Sequence, residues 1–337
     1  MVIMKMAVFG THEFDRAALE EANESLHYDL VYFEPTLSQQ TVALARGFPA
    51  VCVFVHDRLD ETTLKELRAG GTTLVALRCA GFNNVNLAEA EKLGIHVVRV
   101  PEYSPYAVAE HATALLLALN RKIPRAYNRV RDGNFSLDGL VGFDLHGKTI
   151  GVVGLGRIGG AFAKIAHGFG CRVLAHDVQP NRDLESEAGV NYVDLDQLYR
   201  ESDAISLHVP LFPQTFHMIN RTTLEKMKKG ALLINTSRGA LINAADLLEA
   251  LKAGVIAGAG LDVYEEEDGV FFQDLSGQVL QDDILARLLS CPNVLITSHQ
   301  GFLTKEALQN IALTTLRNLA AFSEGLELRH ELTVVGR

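Results

Sequence analysis

Four short polar segments follow apolar, β-rich runs in the second half of the chain: His208-Val209-Pro210, Thr236-Ser237-Arg238-Gly239, the stretch from Asp262 to Glu267, and Ser298-His299-Gln300. Ligands of doubly wound sheets bind beyond the carboxyl ends of the strands, so these segments are where reactive groups are to be sought. An arginine, a histidine and a glutamate among them suit one chemistry. Reducing a 2-keto acid needs a guanidinium to hold the carboxylate, a cationic acid to protonate the developing alkoxide, and a carboxylate to orient that acid. Arg238 has the strongest claim to the first role, although an isolated arginine also serves in surface ion pairs. Spacing leaves the acid open between His208 and His299, because the chain has 12 histidines and both of these follow apolar strands. A strand-end histidine is more often structural. Glu267 closes the run Glu265-Glu266-Glu267, whose plainer reading is a solvated loop.

A second group of residues suits a dinucleotide. The buried-strand run Thr149-Ile150-Gly151-Val152-Val153 enters Gly154-Leu155-Gly156-Arg157-Ile158-Gly159, and a helical pattern continues through Phe162, Ile165, Ala166 and Phe169. The first glycine permits a tight turn, the second admits a pyrophosphate to the backbone, and the third lets helix pack closely on strand. The helix N-terminus adds amide donors and a favourable dipole. Asp177 ends the next strand, 23 residues beyond Gly154, near the spacing of about 20 expected for a ribose-binding acid. A carboxylate there accepts from ribose hydroxyls and repels a 2′-phosphate, so NAD is favoured over NADP.

The elements that must position these groups form two series. Lys5 to Gly10, Tyr28 to Phe33, Ala50 to Val55, Thr73 to Cys79 and Ile95 to Val100 are strands alternating with helical patterns, which predicts a parallel, doubly wound sheet. Ser104-Pro105 opens an apolar helix to about Asn120, read as the crossing between domains. A Rossmann-like series follows: Thr149, Arg172 to Asp177, Asn191 to Val193, Ala204 to Val209, Ala231 to Thr236, Ile256 to Val263 and Val294 to His299 begin or span its strands. The long helix from about Thr304 to Phe322 then returns to the first domain. The expected fold is α/β: a Rossmann NAD-binding domain over 102–301, inserted into a discontinuous flavodoxin-like catalytic domain over 1–101 and 302–337.

Composition agrees with that size and class. The 337 residues exceed the length over which one core keeps growing. The net charge of −10 gives no basic face for nucleic acid or an anionic membrane. Cys52, Cys79, Cys171 and Cys291 lie far apart, which predicts neither a metal site nor a disulfide framework and suits reduced thiols in the cytoplasm. No signal-peptide pattern opens the chain, and no apolar run reaches membrane-spanning length.

From about Leu77 to Phe302 the chain resembles the D-2-hydroxyacid dehydrogenase family, and within it the bacterial D-lactate branch. The likeness is carried by the glycine turn, the segment from Leu77 to Asn84 (LRCAGFNN), Val98 to Ser104 (VRVPEYS), Val108 to Ala112 (VAEHA), Asn235 to Gly239 (NTSRG), Asp262 to Glu267 (DVYEEE) and Ser298 to Phe302 (SHQGF). The resemblance implies that Arg238 holds the substrate carboxylate, that His299 is the acid/base, and that Glu267 orients it and favours its cationic form. It further implies that the loop Cys79-Ala80-Gly81 offers backbone amides to the carboxylate, that Tyr103 faces the substrate, and that Phe54 and Phe302 wall the side-chain pocket. Asp262 resembles the residue that binds the nicotinamide carboxamide, while His208-Val209-Pro210 and Thr236 line the cofactor.

The stretch from Asp268 through Phe271-Phe272-Gln273-Asp274 to Asp283 resembles an insertion of the lactate and larger 2-keto acid branch. Pyruvate reduction to D-lactate by NADH is therefore the expected activity. A dehydrogenase of the D-2-hydroxyisocaproate type and an NADH-sensing corepressor are the alternatives on the same fold. Gly301 departs from the branch's usual Ala, which is expected to loosen the wall between His299 and Phe302. Hinges are expected near Pro101 and Gly301, and a homodimer or homotetramer is expected, with the helix from Ser104 to Asn120 as one candidate contact.

Overall fold

The computed structural model describes residues 4–334. Its contacts divide the chain into two compact units, one running through Ser104 and resuming at Leu303, the other comprising Pro105–Phe302. The second is thus inserted in the first.

In the discontinuous unit, β1 (Lys5–Val8), β2 (Asp29–Tyr32), β3 (Ala50–Val53), β4 (Leu74–Leu77) and β5 (His96–Arg99) form a parallel sheet in the order β2-β1-β3-β4-β5, the flavodoxin-like order. β3 and β4 are apolar and buried along their whole length, as is β1 after Lys5, because both faces are covered, and the two-residue period divides their side chains between two cores. Met6, Val8, Cys52, Leu74 and Ala76 share one core with Leu316 and Leu319 of the helix Lys305–Ser323. Ala7, Val51, Val53, Val75 and Leu77 share the other with Leu64 and Leu67 of the helix Glu61–Ala69. Thr304 caps the helix Lys305–Ser323, which also packs on the helix Glu13–Asn23. Beyond it Glu331 bridges Val98 in antiparallel fashion.

The inserted unit contains β6 (Thr149–Val153), β7 (Arg172–His176), β8 (Val190–Tyr192), β9 (Ala204–Leu207), β10 (Leu232–Asn235), β11 (Gly258–Leu261) and β12 (Val294–Ile296), all parallel, in the order β12-β11-β10-β9-β6-β7-β8. Counted from β6, this is the Rossmann order extended by a seventh strand. The helix Pro105–Asn120 lies on the helix Arg157–Gly168 and on β10 and β11, burying Ala109, Ala112, Leu115 and Leu116 in this unit's core.

Several strands stop short of the apolar runs that announce them. The run from Ile256 to Val263 pairs only over Gly258–Leu261, and that from Ala204 to Val209 only over Ala204–Leu207. The polar residues just beyond still bond to the neighbouring strand, Asp262 N donating to the Asn235 carbonyl at 2.9 Å and His208 N to the Val153 carbonyl at 2.7 Å. One element lies outside the sequence reading. The helix Ile123–Arg131 buries none of its residues, and a segment after it is tied back by Arg129, whose Nη1 donates to the Ser136 and Asp138 carbonyls, and by Asn120, which exchanges bonds with Phe143. No helix of the described residues is long and apolar enough to cross a membrane.

Candidate active site

The glycine turn is built as its sequence requires. Gly154 has φ +91°, and a Cβ there would stand 2.6 Å from the His208 carbonyl oxygen; at Gly159 it would stand 1.9 Å from the Gly154 oxygen. Neither position admits a side chain. At Gly156, the N-cap of the helix Arg157–Gly168, a Cβ would meet nothing within 4 Å. The backbone is thus open to an approaching anion, with Arg157 and Ile158 forming the first helical residues. Asp177 follows β7, where its Oδ2 accepts from Leu155 N at 2.5 Å and its Oδ1 from Gln179 N at 2.8 Å. It therefore pins the glycine turn while its further lone pairs suit ribose hydroxyls.

Two buried polar atoms on the same edge fit a bound cofactor. His208 Nε2 pairs with Ser206 Oγ at 2.9 Å, while its Nδ1 and the Thr236 hydroxyl are buried with no partner among the described residues. Burial pushes the His208 imidazole down to about 3, so it stays neutral and cannot be the cationic acid that carbonyl reduction needs. Val209 and Pro210 continue the chain from it beyond β9. These groups, with the open Gly156, fit an NAD nicotinamide and pyrophosphate.

A carboxylate distinguishes the two histidines. His299 Nδ1 lies 2.8 Å from Glu267 Oε2, both side chains being largely buried at 17% and 14% exposure. Glu267 Oε1 accepts from Tyr264 N at 2.9 Å. With Nδ1–H given to Glu267, Nε2 is the atom able to exchange a proton with a substrate oxygen. Phe272, from the insertion, brings its ring to 6.2 Å from the His299 ring. Phe302 is buried nearby in sequence.

Arg238 stands past β10 in a turn closed by Asn235 Nδ2 donating to its carbonyl, and its own Nη1 donates to the Ser237 carbonyl at 2.7 Å. A Cβ on the next residue, Gly239, would fall 1.9 Å from the Tyr264 carbonyl carbon and oxygen. Only glycine lets the Arg238 turn lie against the segment carrying Glu267. The acidic run then divides into three: Glu266 is exposed, Glu267 meets His299, and Glu265 pairs with His217 and accepts from Ala244 N at 3.4 Å. The solvated-loop reading holds for Glu266 alone.

Asp262 is 1% exposed and accepts from His111, Thr297, Gln300 and Gly301. Burial by itself would raise its carboxyl, but these bonds, led by His111, hold it below the ordinary carboxylate range. Among the described residues Oδ2 takes the Gly301 bond alone, which leaves a lone pair suited to a carboxamide N–H. A Cβ at Gly301 would lie 3.0 Å from Asp262 Oδ2 and 3.6 Å from His111 Cδ2. A methyl added at Gly301 would therefore press on Asp262 Oδ2.

In the discontinuous unit, the remaining expected residues stand at the carboxyl ends of β3, β4 and β5. Cys79 Sγ donates to the Gly81 carbonyl at 3.2 Å, and Arg99 Nη1 donates to Ala80 O at 2.8 Å. The Tyr103 carbonyl accepts from Asn310 Nδ2 at 2.7 Å. Phe54 packs under the Arg78 guanidinium, 5.0 Å from its ring centroid. Arg78, itself 1% exposed, pairs with Asp15 at 3.1 Å and donates to the carbonyls of Phe9 and Gly10. Asp57 accepts from Leu37 N and Phe54 N, and burial pushes its carboxyl up to about 6. These supporting groups escape a sequence reading, although a charge directly after the apolar run of β4 is a signal for Arg78, and a lone histidine on an apolar helix is one for His111.

Residues 113–301 match the family profile of the D-isomer specific 2-hydroxyacid dehydrogenase NAD-binding domain. The D-lactate dehydrogenase of Escherichia coli (strain K12) is 50% identical over 329 residues, 98% of this chain and 100% of that protein. Among solved structures, apo D-lactate dehydrogenase from Escherichia coli superposes with a TM-score of 0.90 at 48% identity, over 98% of this chain and 100% of that one. The pyruvate reductase of Chlamydomonas reinhardtii gives 0.91 at 45% identity, over 97% and 98% of the two chains.

Proposed function

On the premise that this chain belongs to the D-isomer specific 2-hydroxyacid dehydrogenase family, we propose a division of labour among its residues. The activity is that of an NAD-dependent D-lactate dehydrogenase, interconverting pyruvate and D-lactate. NADH, when bound, supplies the hydride. Arg238 holds the substrate carboxylate in a bidentate grip. His299 Nε2 gives a proton to the carbonyl oxygen in reduction and takes it back in oxidation, so reduction needs the imidazolium and oxidation the neutral ring. Glu267 fixes the ring and favours its charged form. The observation that carries this reading is the 2.8 Å bond between His299 Nδ1 and Glu267 Oε2, the arrangement that orients a general acid.

Gly154, Gly156, Arg157, Ile158 and Gly159 take the pyrophosphate in this scheme, Asp177 the ribose, and His208 to Pro210, Thr236 and Asp262 the nicotinamide side. Cys79 to Gly81, Tyr103, Phe54 and Phe302 contact the substrate. Loss of NADH absorbance with pyruvate, 2-ketoisocaproate and hydroxypyruvate, with product chirality checked enzymatically, tests the assignment. Fastest turnover on pyruvate giving D-lactate is expected. Preference for 2-ketoisocaproate would move the substrate to the larger acids, and NADH binding without turnover would favour a sensor.

The protein is further proposed to act in the cytoplasm as a homo-oligomer. Its four cysteines are free thiols, three of them buried. Ile123, Tyr127, Val130, Phe135, Leu137 and Val141 are all more than half or about half exposed within one short segment, an apolar concentration of the kind that marks association surfaces. Sedimentation should show an oligomer that Tyr127→Glu with Phe135→Glu dissociates, and a parent monomer would refute the assignment.

A further inference from the structure

The carboxylate of Asp262 ties down nearly the whole turn that presents His299. Oδ1 accepts from Thr297 Oγ1 at 2.6 Å and Gln300 N at 2.9 Å, and Oδ2 accepts from Gly301 N at 2.8 Å. The backbone carbonyl of Asp262 accepts from His299 N at 2.7 Å. The turn needs such restraint: His299 has φ +50°, a left-handed conformation that a residue with a side chain keeps only when its surroundings over-determine it.

Of the groups bonded to that carboxylate, one comes from outside the turn. His111 Nε2 lies 3.0 Å from Asp262 Oδ1 and 3.0 Å from Thr297 Oγ1. The Thr297 hydroxyl hydrogen is directed to Asp262, so Nε2 of His111 must carry a proton to serve both oxygens. His111 stands on the helix Pro105–Asn120 beside Ala109 and Ala112, both wholly buried in the core, and so on a rigid element.

The geometry points to His111 as a positioning residue for the reaction: through Asp262 Oδ1 it registers the His299 turn against the helix Pro105–Asn120. The inference rests on the reading of His299 as the acid/base. Without the His111 bond, the donors to this carboxylate among the described residues all belong to the turn itself, and its tie to the helix is lost. Misplacing an acid by about 1 Å can cost about 100-fold in rate.

The test compares His111→Ala, which removes the donor, with His111→Gln, which returns an amide N–H at similar reach. Steady-state kcat and KM for pyruvate are measured, together with amide hydrogen exchange over residues 297–301. His111→Ala is expected to lower kcat about 10- to 100-fold, with a smaller change in KM, and to speed exchange at Gln300 and Gly301. His111→Gln is expected to recover most of both. Should His111→Ala fail to fold, His111→Phe keeps the bulk of the ring while removing the donor and carries the same expected direction.

Unchanged exchange in the donor-deleted variant, or a His111→Gln protein as slow as His111→Ala, overturns the proposal. His299→Gln, measured alongside, tests the premise by itself. Parent-like turnover in His299→Gln refutes the acid/base reading, whereas a slow His299→Gln beside a fast His111→Ala refutes only the positioning role.

Discussion

Replacing Glu267 by Gln removes one charge and almost no volume, yet the structure assigns it a large cost. Both carboxylate oxygens face donors: Oε1 takes Tyr264 N at 2.9 Å, and Oε2 takes His299 Nδ1 at 2.8 Å. A glutamine offers one oxygen, so its NH2 group must confront one of the two N–H groups. If it faces Tyr264, a largely buried backbone donor is orphaned, at about 1–3 kcal/mol. If it faces His299, the ring must turn Nδ1 into an acceptor and carry its hydrogen on Nε2, the wrong tautomer for taking a proton from D-lactate. In either case the charge-assisted bond to the imidazolium, about 1.5–3 kcal/mol, becomes at best a neutral one. Together these losses come to at most about 2.5–6 kcal/mol, or about 70- to 25,000-fold in rate. Steady-state kcat/KM in both directions, with NADH affinity read separately by fluorescence titration, provides the assay. Both directions should fall while NADH affinity stays near the parent value. A Glu267→Gln enzyme within threefold of parent in both directions would show that the pair does not serve the chemistry.

Arg238→Gln should lower kcat/KM for pyruvate by about 100- to 10,000-fold, the value of two charge-assisted bonds, with NADH titration little changed; equal loss of both would remove Arg238 from the substrate site. Gly239→Ala drives a methyl into the Tyr264 carbonyl and should destabilise the inserted unit by about 1–3 kcal/mol or more, seen as a lower melting temperature together with lost turnover. The buried Asp57, facing Arg78, Asp15 and the amides of Leu37 and Phe54, has its carboxyl raised to about 6. An acid raised on folding holds its proton more tightly in the native state, so its contribution to stability falls as pH rises from about 4 to about 6. Parent stability relative to Asp57→Asn should therefore improve by about 1–2 kcal/mol between pH 7 and pH 5 in urea titrations, and a flat difference would contradict the buried-acid account.

What the sequence determined by itself is what local patterning encodes. Parallel strands buried on both faces must be apolar along their length, so β1, β3, β4, β6 and β9 announce themselves. The glycine turn is equally legible, since Gly154 and Gly159 answer steric demands set within one strand, turn and helix, with His208 across the sheet adding to them. Resemblance could name Arg238, Glu267 and His299, but spacing could not choose His299 over His208. What separates the two histidines in the folded chain is their partners. His299 meets Glu267 because β11 and β12 are neighbours in the sheet, while His208 is buried beside Phe162, and that burial pushes its ring toward the neutral form.

Tertiary structure likewise decided the fates of Glu265, Glu266 and Glu267. Three adjacent and chemically similar residues point to His217, to solvent and to His299, according to where the backbone bends after β11. The same holds for His111, whose partner Asp262 stands 151 residues away, and for Arg78, whose partner Asp15 stands 63 away. Desolvation and pairing arise only when distant segments exclude water together. A sequence records which groups can bear charge; the packed chain determines which of them meet, and so which charges survive burial.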